Sequence, residues 1–305
     1  QAAAAWGVAP DRAYADYRTM IAAEAARDDG VDMVAVVTPN HLHFEVSKAA
    51  LEAGLHVMSD KPATLNLAEA LALATVVAAS GRRYGLTYVY TGYPMVREAR
   101  EIVARGDLGA VRKVIVEYSQ GWLSRPIERE DNKQAGWRAD PAQSGVGGCI
   151  GDIGVHAFNL AEFVVGAPVE RLCADVAAVV PGRTLDDDCN ILLRFAGGAR
   201  GVLIASQISA GARNGLTIKV YGEKGGLVWS HERHTELILD WLDGPSQVLH
   251  AGAPYLSAVA QAASRIPTGH PEGFIEAFAN IYRDFAAAIG GEAGGGLVPG
   301  IAQGV

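Results

Sequence analysis

Between residues 31 and 104 short apolar runs and helix-like segments alternate at a steady pitch, and that alternation leaves few folds open. "VDMVAVVT" (31–38) is an almost unbroken apolar run, as expected of a parallel strand covered on both faces. "PNHLHFEVSKAALEAG" then has the pattern of a helix, with Asn40 as N-cap and Gly54 as stop. A strand at His56 to Ser59, a helix from about Leu67 to Ala79, a strand at Tyr84 to Tyr88 and a helix from about Pro94 to Ala104 continue the series. This predicts a doubly wound α/β domain with a parallel sheet, over residues 1–110.

From Val111 the rhythm changes. "VRKVIVEYSQ", "VERLCADVAAVV", "CNILLRFAGG", "ARGVLIASQIS", "LTIKVYG", "GLVWSHE" and "ELILDW" are strand-like and are separated by turn residues. They predict an α+β domain, residues 111–305, on a large open antiparallel sheet, interrupted by one helix near residues 151 to 165. "YGEKGG" (221–226) lies between two of these runs with no helix behind it, so it reads as a hairpin turn and not a phosphate loop. The last helix carries Phe274, Phe278, Ile281 and Phe285 at helical spacing and should pack back by that stripe, with "IGGEAGGG" after it as a loop.

Two domains suit 305 residues, half of them hydrophobic. The net charge is −8 with no long single-sign run, which argues against nucleic acid and anionic lipid and favours a small-molecule partner. Cys149, Cys173 and Cys189 have neither CxxC nor zinc-like spacing, so a reducing, cytoplasmic setting is expected. No apolar window reaches membrane-spanning length. The chain opens at Gln1 in what reads as the end of an alanine-rich helix (Ala2 to Trp6) and closes at Val305 in mid-pattern, so a fragment is expected.

In open α/β sheets ligands bind beyond the carboxyl ends of the strands. Three strand ends here are unusual: Thr38-Pro39-Asn40, Ser59-Asp60-Lys61-Pro62, and Tyr88 with Tyr90. Taken singly they are weak, since a lysine before proline is usually a solvated turn residue and Asn40 a helix cap. His41 and His43 resemble the HxH of metal hydrolases, but residues two apart on a helix diverge, and no metal is expected. "GGCIGDIGVH" (147–156) is sharper. Asp152 and His156, four apart on a helix, share a face, and a helix N-terminus disfavours imidazolium, keeping His156 able to accept a proton. The surrounding glycines would let backbone or ligand approach closely. The bland alternative is a capping Asp and a packed His.

"AVVTPNHLH", "GLHVMSDKP" and "GWRADPAQSGVGGCIGDIGVH", in this order and at these separations, resemble the Gfo/Idh/MocA family of dinucleotide-dependent sugar and cyclitol oxidoreductases, and "IKVYGEKGGL" looks like its sheet domain. The resemblance runs over roughly residues 5 to 290. It implies a Rossmann domain followed by a domain on an open antiparallel sheet, and NAD or NADP as cofactor. It also implies hydride transfer at a CH–OH group of a sugar, sugar derivative or inositol. The family's motif lysine falls on Lys61, and its "GGxxxDxGxH" pair on Asp152 and His156. Thr38, Pro39, Asn40 and His43 would lie along the cofactor, together with Asp60, which replaces the usual Glu, and Trp137 and Arg138. "TYVYTGYP" lacks the Arg common at that point, so Tyr88, Tyr90 or His270 would take part in substrate binding instead. The family begins with a strand, a glycine-rich loop and a helix that should precede Gln1, so that segment is expected to be missing.

On this reading His156 is the general base, Asp152 orients it or binds a neighbouring hydroxyl, and Lys61 stabilises alkoxide charge. A homodimer or homotetramer through the open sheet is expected, because a bare sheet face leaves apolar surface in water. The competing readings are a non-catalytic dinucleotide or sugar sensor of the same fold, an inactive fragment, and a metal-dependent hydrolase using His41 and His43.

Overall fold

Residues 2–292 and 295–305 are described by the computed structural model, and they fall into two units, Gln1–Thr87 with Phe285–Val305, and Tyr88–Asp284. In the first unit β1 (Met33–Val36), β2 (His56–Ser59) and β3 (Tyr84–Leu86) form a parallel sheet in that order. Two helices, α1 (Ala2–Ala5) and α2 (Tyr17–Ala25), precede it; α3 (His43–Glu52) and α4 (Leu67–Ser80) make the two crossovers and pack against each other. Consecutive crossovers of one hand place successive helices on one face of a sheet. Asn66 starts α4 by accepting the Glu69 N–H at 3.0 Å, and Gly54 ends α3 in the left-handed region at φ +84.

Two local expectations change here. Asn40 does not cap α3; it opens a 3₁₀ turn, Asn40–Leu42, which leads into the helix. The first strand is also not covered on both faces: Val34 and Val36 are buried, whereas Ala35 between them is exposed.

The chain end returns to this unit. Pro299 O accepts the Leu86 N–H at 2.8 Å, and the Phe285 ring lies so close to Gly85 that an added Cβ would meet it at 2.9 Å.

The second unit begins with α5 (Pro94–Ala104), which the sequence pattern alone assigned to the first domain. It packs on β9, α8 and α9, so the division falls at Thr87/Tyr88 and not at residue 110. Eight strands follow: β4 (Lys113–Ser119), β5 (Val169–Ala177), β6 (Asp188–Phe195), β7 (Arg200–Ser206), β8 (Gly215–Tyr221), β9 (Gly225–Ser230), β10 (Glu236–Trp241) and β11 (Gln247–His250). Their order is β11-β10-β9-β8-β4-β7-β6-β5. The sheet is mixed, because β4 runs parallel to β7 and antiparallel to β8. The "GEKGG" turn joins β8 to β9 as an antiparallel hairpin, as its sequence implied.

Helices α6 (Lys133–Arg138), α7 (Pro141–Ser144) and α8 (Val155–Val165) lie between β4 and β5, and α9 (Ala258–Ala262) and α10 (Phe274–Ile289) close the chain order. Helix α8 packs on β4, β7 and β8, and the strands alternate accordingly: Val114, Val116, Leu203, Ala205, Leu216 and Ile218 are buried. The buried face of α10 is not the expected phenylalanine stripe. Ala277, Asn280, Ile281, Asp284 and Phe285 are buried, while Phe274 is 47% exposed. Residues 293 and 294 of the expected glycine-rich loop lie outside the described residues.

Asn280 and Asp284 are polar members of that face with work to do. The Asn280 amide donates to Gly92 O and Ala263 O, and Asp284 pairs with Arg97 at 2.6 Å. Burial disfavours the charge on Arg97, and Asp284 supports it. Removing one partner strands the other, so Asp284→Ala is expected to lower stability by about 3–5 kcal/mol in urea unfolding. A loss under about 1 kcal/mol would show that water or a neighbour replaces the carboxylate.

Candidate active site

In the first unit the end of β1 is tied to the turn after β2 by one imidazole. His43, 1% exposed, places Nδ1 2.7 Å from Pro62 O and Nε2 2.9 Å from Thr38 O. Both ring nitrogens are thus engaged with backbone, and His43 fixes Thr38 relative to the Lys61-Pro62 bond, which is cis. The same geometry separates it from His41, which is exposed. Among the described residues no three His, Cys, Asp or Glu side chains gather to hold a metal ion.

Asp60 braces the ends of β2 and β3. Its Oδ1 accepts from Thr87 Oγ1 at 2.6 Å and from Lys61 N at 3.1 Å. Lys61 is half-buried, and Asn40 is buried at the turn after β1. Thr38 Oγ1 is buried without a hydrogen-bond partner, an arrangement that ordinarily marks the place of something bound.

In the second unit the motif glycines have several uses. Gly148 lies against the Asp186 backbone: a Cβ there would fall 2.0 Å from Asp186 O. Asp186 takes three successive N–H groups, Gly148 and Ile150 on its carboxylate at 2.6 and 2.8 Å and Cys149 on its carbonyl at 2.8 Å. At Gly154 an added Cβ would press on the Ile150 side chain at 3.1 Å, and Gly151 faces open space. The glycines at 148 and 154 therefore serve the protein's own close contacts, and Gly151 does not.

Ile150–Gly154 is a π-helical turn that runs directly into α8. Such turns are rare and concentrate at functional sites. Asp152 lies within it, and its Oδ2 accepts from Gln207 Nε2 at 2.8 Å with Arg138 Nε at 3.5 Å. His156, nearly buried, is ringed by tyrosines: Tyr90 and Tyr88 meet it edge to face at 5.1 and 5.7 Å, and Tyr118 lies at 6.4 Å. His156 stands well past the first turn, and the Asp186 carboxylate already occupies the N-terminus. The positive end of the helix is therefore paired with Asp186 and does not face His156, contrary to the expectation from its place in the motif.

The tyrosines belong to a hydrogen-bonded network. Tyr90 OH bonds Tyr118 OH; Asn214 Oδ1 accepts from Tyr118 OH and Gln120 Nε2 at 2.7 and 2.8 Å. Asn214 Nδ2 is 3.1 Å from His231 Nδ1, and Tyr93 OH is 3.0 Å from His231 Nε2. Burial raises Tyr90, Tyr93 and Tyr118 above the usual phenol range, with the Asp152 charge adding to the shift of Tyr90 and Tyr118. Burial also lowers His231. All three phenols are therefore protonated at neutral pH.

Of the expected site residues, Tyr88, Tyr90, Trp137, Arg138, Asp152 and His156 come together in this unit; Arg138 stacks on Trp137 at 4.2 Å on its way to Asp152. His270 does not join them. It is exposed, and its ring reaches Pro267 O at 3.2 Å. Gln120, Asn214, Gln207 and His231 were missed, because a lone amide at a strand end carries no motif. The one available signal was the polar cluster "EYSQGW" closing β4.

One unit with a parallel sheet and an unsatisfied hydroxyl at a strand end, and another with an open sheet carrying Asp152 and a buried His/Tyr cluster, are the two parts of a dinucleotide-dependent oxidoreductase. Comparison with known proteins agrees. Residues 1–88 match the oxidoreductase family with an NAD-binding Rossmann fold, and residues 96–228 match the GFO/IDH/MocA C-terminal domain. The uncharacterized oxidoreductase YfiI of Bacillus subtilis is 34% identical over 285 residues, spanning 93% of this chain and 72% of that protein. An inositol dehydrogenase homolog from Azotobacter vinelandii, solved with NAD+, superposes with TM-score 0.94 at 38% identity, over 99% of this chain and 80% of that one. Levoglucosan dehydrogenase, solved with NADH and levoglucosan, does so with TM-score 0.85 at 26% identity, over 99% and 80%. The chain belongs to the Gfo/Idh/MocA oxidoreductase family. The Rossmann match begins at residue 1 and lends no support to the expected loss of a glycine-rich segment or to the fragment reading.

The close approach at Gly148 is testable. Gly148→Ala forces a methyl group into the Asp186 carbonyl and is expected to cost about 1–3 kcal/mol in thermal unfolding. Gly151→Ala, in open space, should cost less, about 1 kcal/mol at most, and equal losses would remove the distinction between them.

Proposed function

We propose that this protein interconverts a secondary hydroxyl and a ketone on a cyclitol or sugar, using a nicotinamide dinucleotide. The observation that carries the reading is the placement of His156 among Tyr88, Tyr90 and Tyr118, with Asp152 hydrogen-bonded in the turn that leads into the same helix. A wall of phenols, amides and a carboxylate offers paired donors and acceptors, which is what a polyol requires. The inositol and levoglucosan enzymes among its structural neighbours support the same substrate class.

The residues at the end of β1 fit the dinucleotide, since Thr38 Oγ1 is buried and unsatisfied there. Thr38, Pro39 and Asn40 would hold it, with His43 and Asp60 bracing the backbone they stand on and Lys61 beside them. When bound, the nicotinamide supplies or accepts the hydride. His156 takes the proton of the reacting hydroxyl and returns it in the reverse direction. Asp152 accepts a hydrogen bond from a neighbouring hydroxyl and favours the protonated form of His156, while Lys61 stabilises negative charge on the substrate oxygen. Arg138 is assigned to Asp152 and not to the cofactor, because its guanidinium already lies against that carboxylate.

Two further parts of the proposal concern the surroundings. Strand β5 is exposed along nearly its whole length; Leu192 is about half exposed on the uncovered face, and Leu172, paired with buried Leu193, is about half exposed at the sheet edge, which supports association of two or four copies through this end of the sheet. Sedimentation should then show an oligomer that Leu172→Asp with Leu192→Asp dissociates; a monomeric wild type would reject it. No helix among the described residues is long and apolar enough to cross a membrane, and all three cysteines are free, which supports a cytoplasmic setting.

The central test is a screen of cyclitols and sugars with NAD+ and NADP+, following nicotinamide absorbance. One or more polyols should turn over, and His156→Ala should lower turnover about 10²- to 10⁴-fold while dinucleotide binding persists. An unchanged rate in His156→Ala would remove it from the mechanism. Dinucleotide binding without turnover of any polyol would favour a sensor.

A further inference from the structure

Asp152 lies in a π-helical turn, between Gly151 and Ile153. One group that meets it is Gln207, just beyond β7 and 2% exposed. Gln207 is fixed at both backbone ends: its N–H donates to Asp187 O at 2.9 Å, and its carbonyl accepts from Leu123 N at 3.1 Å. Its side-chain Nε2 has two hydrogens, one toward Asp152 Oδ2 at 2.8 Å and one toward Gln120 Oε1 at 3.4 Å.

The direction of these bonds follows from their ends. Trp122 Nε1 can only donate, and it lies 3.0 Å from Gln120 Oε1, which makes that atom the oxygen. Gln120 Nε2 then donates to Asn214 Oδ1 at 2.8 Å. At the other end an ionised Asp152 can only accept. Between a fixed acceptor at Gln120 and a fixed acceptor at Asp152, Gln207 must present its NH₂ group to both.

We propose that Gln207 is a positioning residue for the reaction: its amide N–H holds the Asp152 carboxylate ionised and in one orientation. The proposal rests on the role given to Asp152 above, but its primary test does not. Other titratable or charged groups around this carboxylate include Arg138 from α6, His156 from its own helix, and Tyr90 and Tyr118.

The test is the titration of the Asp152 carboxyl carbon by NMR in protein labelled at aspartate, assigned with Asp152→Asn, in wild type and in Gln207→Leu and Gln207→Glu. Loss of the donor in Gln207→Leu should raise the Asp152 midpoint, an increase in proton affinity of about tenfold or more. In Gln207→Glu, which keeps the shape, two carboxyl groups share one proton at low pH and repel once it leaves. With a polyol substrate, Gln207→Leu should then lose about ten- to a hundredfold in kcat at every pH with dinucleotide KM unchanged. Gln207→Glu should be near wild type at the acid end and fall as pH rises, a profile that a packing defect would not produce. An unmoved Asp152 midpoint in both variants overturns the proposal. A moved midpoint with no polyol turned over by wild type would sustain the positioning role and reject the assigned reaction, so the two failures are distinguishable.

Discussion

The carboxylate of Asp186 is the constraint from which the second unit's chemistry follows. Its two oxygens take the N–H groups of Gly148 and Ile150, and its carbonyl takes that of Cys149, so one residue satisfies three donors that a helix start would otherwise leave unpaired. The approach is possible because residue 148 has no side chain. With the entry fixed there, the next turn opens to π geometry and runs directly into α8, which packs on β7. Asp152 is thereby turned toward Gln207 and Arg138, and His156 toward the tyrosines. The adjacent Asp187 repeats the device, accepting from Val179 N, Val180 N and Arg183, so the segment before β6 is held on both sides.

Electrostatics in this unit are governed more by burial than by the helix dipole. Tyr90, Tyr93 and Tyr118 are pushed above the ordinary phenol range chiefly because a phenolate would lose its hydration, and a negative Asp152 works in the same direction on Tyr90 and Tyr118. They therefore remain donors, and a donor must have an acceptor when buried. For Tyr118 the acceptor is Asn214 Oδ1, and the two halves of that amide reach four neighbours, with Nδ2 donating to Tyr90 OH. Such a network has little freedom to reverse, since each amide is oriented by the next and the ends are set by an indole N–H and a carboxylate.

The alternation of strand and helix from residue 31 to 104 was legible in the sequence because hydrophobic period is local. β2 and α5 lie within the bounds that the pattern gave, and all the strand-like runs from Val111 are strands. What lay beyond reach was non-local. The pattern of β4 could not reveal that it pairs in parallel with β7, nor that α5 belongs with β9 and α8. The stripe on α10 failed for a related reason: Asn280 and Asp284 are buried because Gly92 and Arg97, nearly two hundred residues away, bond them. In the site, the motif "GGCIGDIGVH" identified Asp152 and His156, but Asp186, Gln207 and Asn214 act through contacts that sequence spacing does not encode.

The two units solve opposite problems with the same residue types. In the first, His43 and Asp60 are turned inward to backbone and to Thr87, so their function is to make a turn rigid, and the unsatisfied Thr38 hydroxyl is what remains for a ligand. In the second, the acid and the imidazole are held by other side chains. A backbone-braced site suits a partner whose shape does not vary, as a dinucleotide's does not. A site braced by amides and phenols can change its pattern of donors and acceptors by single substitutions without disturbing the fold, because Gln120, Gln207 and Asn214 stand at strand ends and not in the apolar layer under α8. Proteins with one fold and one cofactor can therefore differ in which hydroxyl they recognise, and the amide network is where that difference between relatives would be written.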